Sequence, residues 1–148
     1  MGGIVVGWDP DTYLAYADER SRPFYDLTAR IDADNPRIVV DLGCGPGQLT
    51  ATLADRWPHA RILGIDSSSQ MIEAASPHAD DRVGFELGNA ATWAPAEPVD
   101  VLVSNATLQW VPGHRDLVAR WLESLVAGGW LAFQVPGNFE EPSHRLLA

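Results

Sequence analysis

A chain of 148 residues with 46% hydrophobic and 20% charged side chains is long enough to bury the core of one domain. Twenty acidic against ten basic side chains give a formal net charge of −10, and no lysine or arginine run offsets it, which argues against nucleic acid as a partner. A single cysteine excludes an internal disulfide and fits a reducing compartment; no apolar run reaches membrane-spanning length and no signal-peptide core is present, so the expected location is cytoplasmic, with no membrane partner.

In chain order, Met1–Gly7 reads as a glycine-rich, disordered extension and residues 8–148 as the folded domain. Asp9-Pro10 marks a helix start that carries Tyr13, Leu14, Tyr16 and Ala17. Ser21-Arg22-Pro23 caps a second helix with Phe24, Leu27 and Ile31 on one face. Both helices precede a glycine corner and are expected to cover its mouth. After the polar linker Asp32–Pro36, Val39-Val40-Asp41-Leu42 is a buried strand running into the side-chain-poor loop Gly43-Cys44-Gly45-Pro46-Gly47. Behind it, Gln48–Trp57 places Leu49, Leu53 and Trp57 on one helical face. A strand, a glycine loop and a helix make a nucleotide-binding corner, because the backbone approaches the ligand closely and helix N–H groups face it. Cys44 is a small residue accommodated in that turn, since nothing nearby would lower its pKa and make it a nucleophile.

A second strand, Arg61–Asp66, leads through Ser67-Ser68-Ser69 into a short helix bearing Met71, Ile72 and Ala75. Pro77–Asp81 is a loop, and Val83–Leu87 is a third strand ending at Gly88-Asn89-Ala90. Pro95–Pro98 is too short for a crossover helix. Val99–Ser104 is a fourth, largely apolar strand, as expected when both sheet faces are covered. The loop Asn105–His114 carries Trp110; Asp116–Val126 is a helix stopped by Gly128-Gly129; Trp130–Val135 is a fifth strand, and Gly137–Ala148 trails after it.

Alternating strands and helices with apolar strands imply an α/β, doubly wound parallel sheet. In such sheets ligands bind beyond the carboxyl ends of the strands, where the winding reverses. Asp41–Gly47, Asp66, Asn89 and Asn105 all fall at strand carboxyl ends and therefore converge on one edge. The four histidines show no metal-ligand spacing.

The dinucleotide fingerprint is G-x-G-x-x-G. Here the spacing is Gly43-x-Gly45-x-Gly47, with Asp41 two residues ahead and Gln48 in place of the next glycine. This departs from the nicotinamide pattern and resembles the D-x-G-x-G-x-G signature of class I S-adenosylmethionine-dependent methyltransferases, whose Rossmann-like sheet has seven strands. The resemblance implies S-adenosyl-L-methionine as cofactor, held by Asp41, Gly43, Cys44, Gly45 and Gly47 in the loop. Asp66 and Ser67 would meet the ribose, Asn89 and Ala90 the adenine, and Asn105 the methionine part. Asn89 stands where that family commonly has an aspartate, which predicts a weaker acceptor.

Three further segments narrow the likeness: Trp8-Asp9-Pro10…Tyr13…Arg20-Ser21-Arg22-Pro23-Phe24, Asn105–His114, and Gln134–His144. Together they are similar to trans-aconitate 2-methyltransferases, which methylate one carboxylate of a small polycarboxylic acid. The resemblance implies an O-methyltransferase with a small-molecule carboxylate substrate. Arg20 and Arg22 are candidates to grip substrate carboxylates bidentately, Arg22 alternatively holding the cofactor's own carboxylate. Trp110 is a candidate pocket wall and His144 a candidate substrate contact. Only five of the family's seven strands are readable, so the sequence resembles the amino-terminal portion of a longer enzyme, with an unpaired edge expected on strand five. A cofactor-binding module without catalysis, and a nicotinamide-dependent oxidoreductase, are the competing functional readings.

Overall fold

The structure of the protein is a computed structural model that describes residues 22–105, 114–134 and 144–147. The chain divides into two compact units, Met1–Asp32 and Ala33–Ala148. In the first, helix α1 covers residues 22–29, as the Ser21-Arg22-Pro23 cap predicts. Phe24, Leu27 and Ile31 are all buried, and the Phe24 ring meets Tyr25 edge-on at 5.8 Å. The expected helix from Asp9, the extension Met1–Gly7, Arg20 and Trp110 lie outside the described residues.

The second unit is built on strands β1 (Ile38–Leu42), β2 (Arg61–Asp66), β3 (Val83–Leu87), β4 (Val99–Asn105), β5 (Leu125–Gln134) and β6 (His144–Leu147). Helix α2 (Gln48–Arg56) joins β1 to β2, α3 (Ser69–Ala75) joins β2 to β3, and α4 (His114–Glu123) lies between β4 and β5. The sheet order is β3-β2-β1-β4-β5-β6, the first five strands parallel. Winding runs outward from β1 to β3, then jumps back to β4. The switch point therefore falls between β1 and β4, where Asp41 pairs with Val103 and Leu42 with Ser104.

Period-two alternation explains both sheet faces. Val40, Leu42, Ile65, Leu102 and Leu131 bury one face against Leu117 and Trp121 of α4. Val39, Asp41 and Ile62 point the other way and are equally buried, with α2 and α3 contacting β2 and β3. Arg82 clasps the end of α2 and the turn that follows it: its guanidinium donates to the carbonyls of Ala54 in the last turn of the helix, of Trp57 at its cap and of Ala60 beyond it, at 2.8–3.3 Å.

Two expectations change. The helix read as Asp116–Val126 ends at Glu123, and Gly128-Gly129 lies inside β5 instead of stopping a helix. Val99 pairs with Leu125 but Val101 with Trp130, so β5 carries extra residues there as a bulge. Gly128 takes φ +80, and a Cβ on Gly129 would crowd the carbonyls of Val126 and Asp100 at 3.0 and 3.1 Å. The two glycines serve the bulge. Second, the tail after Gly137 contributes β6, antiparallel to β5 along Trp130–Phe133. The outer edge of strand five, expected to be unpaired, is covered there.

Candidate functional site

The carboxyl ends of β1, β2 and β3 meet around the glycine loop. Gly43 and Cys44 both donate their N–H groups to the carbonyl of Ile65, at 2.7 and 2.9 Å, which folds the loop back over β2. Gly43, Gly45 and Gly47 take φ of +83, +60 and +88, a region that L side chains rarely enter. A Cβ on Gly47 would stand 2.7 Å from that of Ala75 and 2.9 Å from the Phe85 ring, whereas at Gly45 it would meet nothing within 4 Å. The loop is packed beneath and open above.

Asp66 is fixed by this loop. Its Oδ2 accepts the Gly45 N–H and its Oδ1 the Ser68 N–H, both at 2.9 Å, and its carbonyl accepts from Gly88 at 2.9 Å. Each carboxylate oxygen keeps acceptor capacity beyond those amides. Ser67 is exposed beside it, and Ser68 is the residue that caps α3, its hydroxyl accepting from Met71 N–H.

Asp41 is placed differently. It is only 3% exposed, behind the loop, and its Oδ2 accepts the buried Thr50 hydroxyl at 2.7 Å. Burial pushes its carboxyl up from 3.8 to about 6, opposed by the Thr50 hydrogen bond and reinforced by the charge of Asp66. Burial, with the charges of Asp41 and Asp66, likewise pushes the Cys44 thiol up to about 12, which keeps it a neutral packing group as the sequence suggests.

Asn89 and Ala90 follow β3 in a turn tied at several points. The Asn89 Oδ1 accepts the Ala91 N–H at 2.8 Å, its backbone carbonyl accepts from Thr92 and Trp93, and Arg120 of α4 donates to the Ala91 carbonyl at 2.9 Å. Ala90 and Trp93 pack against the core. The side-chain oxygen of Asn89 thus already holds one hydrogen bond. Asn105 ends β4 opposite Gln134, and the backbone of His144 opens β6 opposite Phe133, both at the same carboxyl edge. Arg22 lies exposed on α1 in the first unit.

The structure gathers Asp41, Gly43, Cys44, Gly45, Gly47 and Asp66 at the ends of β1 and β2: Gly45 bonds Asp66 directly, Gly47 bonds Cys44, Gly43 and Cys44 are tied to Ile65, and Asp41 is tied to Thr50, with Asn89 and Ala90 adjoining through Gly88. Sequence reasoning missed Thr50, Gly64 and Phe85. A Cβ on Gly64 would lie 2.7 Å from the Phe85 ring and 3.0 Å from Cys44, and a glycine inside a strand is the one available signal of such close approach. Thr50 carries no signal at all. A groove of about 460 Å³ floored by Ile38, Val40 and Leu63 lies toward the amino ends of the strands and shares none of the loop residues. Among the described residues, no three His, Cys, Asp or Glu side chains are grouped to hold a metal, and no helix is long and apolar enough to cross a membrane.

Known proteins resemble this arrangement. The trans-aconitate 2-methyltransferase of Streptomyces coelicolor is 57% identical over 155 residues, covering 99% of this chain and 51% of the relative. That of Streptomyces avermitilis is 51% identical over 154 residues, covering 99% and 57%. The chain spans about half the length of the curated relatives it matches. In fold, it is similar to the plantazolicin methyltransferase BpumL, solved with a pentazolic desmethylPZN analogue and SAH, at a TM-score of 0.64 and 22% identity, covering 85% of this chain and 54% of that one. The methyltransferase domain family matches residues 39–129, the stretch from β1 through the bulge of β5, and to that family the chain belongs.

Proposed function

We propose that the chain is the cofactor-binding portion of an S-adenosyl-L-methionine-dependent O-methyltransferase that esterifies a carboxylate of a small polycarboxylic acid, trans-aconitate being the substrate that its relatives' names indicate. The observation that carries this reading is Asp66, locked by the Gly45 and Ser68 amides with acceptor capacity to spare for a ribose diol. The open space above Gly45 fits a ligand at that carboxylate, and SAH in a neighbour of the same fold supports the choice of nucleotide.

In this reading Gly43–Gly47 lets the ligand approach the backbone, Asp66 and Ser67 take the ribose, and Asn89 and Ala90 take the adenine. Asp41 stands behind the loop as a buried negative charge, Cys44 packs within the loop, and Asn105 flanks the methionine part. Arg20 and Arg22 are the candidates to grip the substrate's carboxylates, Arg22 alternatively holding the cofactor's own, and Trp110 and His144 are the further candidate substrate contacts. When bound, the donor supplies a methyl group already activated for displacement. A substrate carboxylate is already a nucleophile at neutral pH, so the residues need only align it and strip its water; no general base is assigned.

Calorimetry with S-adenosyl-L-methionine and with NAD, followed by labelled methyl transfer to a panel of di- and tricarboxylates, tests the proposal. Binding of NAD instead would restore the oxidoreductase reading. A second reading is a cofactor-binding module without catalysis. Cofactor binding with no transfer to any acid of the panel would select it.

A further inference from the structure

Thr50 is fully buried in the first turn of α2, where neither the glycine signature nor the family likeness gives it a role. Its hydroxyl donates at 2.7 Å to the carboxylate of Asp41, itself buried at the end of β1. A buried hydroxyl could be satisfied by a carbonyl of its own helix, as Thr52 is by Leu49. Here it spans to another element and to the one buried acid of the loop. The other titratable groups facing Asp41 are Asp66 at the end of β2 and the Cys44 thiol. Its register partners, Gly64 on β2 and Val103 on β4, carry no charge.

Burial opposes the ionisation of Asp41, and the nearby charge of Asp66 opposes it further. The ligand proposed above is a cation at its sulfonium, so the site attracts it more strongly while Asp41 is ionised. We propose that Thr50 is a positioning residue for the methyl donor: its hydroxyl holds Asp41 in one orientation and in the charged form, and thereby sets the pH below which the loop binds the cationic cofactor more weakly. This rests on the cofactor reading above. A hydrogen bond offered to the charged form favours that form, so its loss raises the pH at which Asp41 gains a proton, by about one unit for a charge-assisted bond.

The test is calorimetric titration of S-adenosyl-L-methionine into the 148-residue chain from pH 5 to 8, for the native protein, Thr50→Val, Thr50→Ser and Asp41→Asn, with a melt of each at every pH. Native affinity is expected to bend downward near pH 6, where Asp41 takes up its proton. In Thr50→Val the bend moves up by about one unit, which makes binding up to about fivefold weaker than native at pH 6 and less than twofold weaker at pH 8. Thr50→Ser, which keeps the donor, follows the native curve. A purely structural role would weaken Thr50→Val equally at all pH values. That result, or a native-like profile, overturns the proposal while leaving the cofactor reading intact. If Thr50→Val fails to fold, Asp41→Asn decides: its affinity must lose the bend, and a bend retained overturns the proposal. Absence of binding by the native chain at every pH overturns both readings together.

Discussion

Asp41→Asn should make this protein more stable at neutral pH. A carboxyl moved from 3.8 to about 6 by burial carries, at about 1.4 kcal/mol per pKa unit, about 3 kcal/mol against the ionised folded state. The sign follows from the direction of the shift. The folded chain holds the proton more tightly than the unfolded chain, so the contribution of Asp41 is most favourable below pH 3.8 and is lost as pH rises through 6. An asparagine is neutral throughout and its Oδ1 still accepts the Thr50 hydroxyl, but its new N–H groups are buried at a cost of about 1–2 kcal/mol. The net expectation is a gain of about 1–2 kcal/mol at pH 7.5, a rise of roughly 3–8 °C in Tm for a chain of this size. At pH 4 the variant should be equal to the native protein or less stable. Thermal melts followed by circular dichroism at both pH values measure the difference, and the shared acid sensitivity of the other carboxylates cancels between the two proteins. An asparagine variant that is less stable at pH 7.5, or a gap that ignores pH, refutes the placement of a strained, ionised carboxylate behind the loop.

Other substitutions separate the remaining claims. Arg82→Ala removes a cation and three hydrogen bonds from the end of α2 and should cost about 2 kcal/mol in urea denaturation, against well under 1 kcal/mol if the clasp is incidental. Gly47→Ala combines φ +88 with contacts of 2.7 and 2.9 Å and should destabilise by about 3 kcal/mol, while Gly84→Ala, with open space around it, should be neutral or slightly stabilising. Equal effects at the two glycines would contradict the packing described beneath the loop. Asn89→Asp, which makes the acceptor at the end of β3 a carboxylate, should tighten S-adenosyl-L-methionine binding about threefold to tenfold; unchanged calorimetric affinity would remove Asn89 from the adenine site.

The first four strands and the loop were legible because each is a local statement. Val39–Leu42, Arg61–Asp66, Val83–Leu87 and Val99–Ser104 are apolar runs bounded by turn residues, and glycines at 43, 45 and 47 do turn the chain through positive φ. The convergence of Asp41, Asp66, Asn89 and Asn105 followed from the handedness of parallel crossovers, which needs no side-chain detail. What stayed hidden depends on distant partners. Gly128-Gly129 carries the same letters whether it stops a helix or bulges a strand, and only the pairing of β5 with β4 decides between them. His144–Leu147 becomes a strand through its pairing with Trp130–Phe133. Arg82, Thr50 and Arg120 read as ordinary polar residues because their acceptors lie 22 to 28, 9 and 29 positions away.

The Phe85 ring bears on how this site can change by descent. It fills the side-chain space of two glycines on different elements, Gly64 in β2 and Gly47 in the loop. Neither can acquire a side chain while the ring stands, so the order of substitution is constrained. A smaller residue at 85 must come first, and it relieves only position 64, where the Cβ of Cys44 still stands 3.0 Å from the added carbon and must give way. Position 47 remains barred by its backbone and by Ala75. Sequences drifting from this one can therefore change Gly64 only together with Phe85 and a shift at Cys44, whereas Gly47 has no partner whose loss would release it.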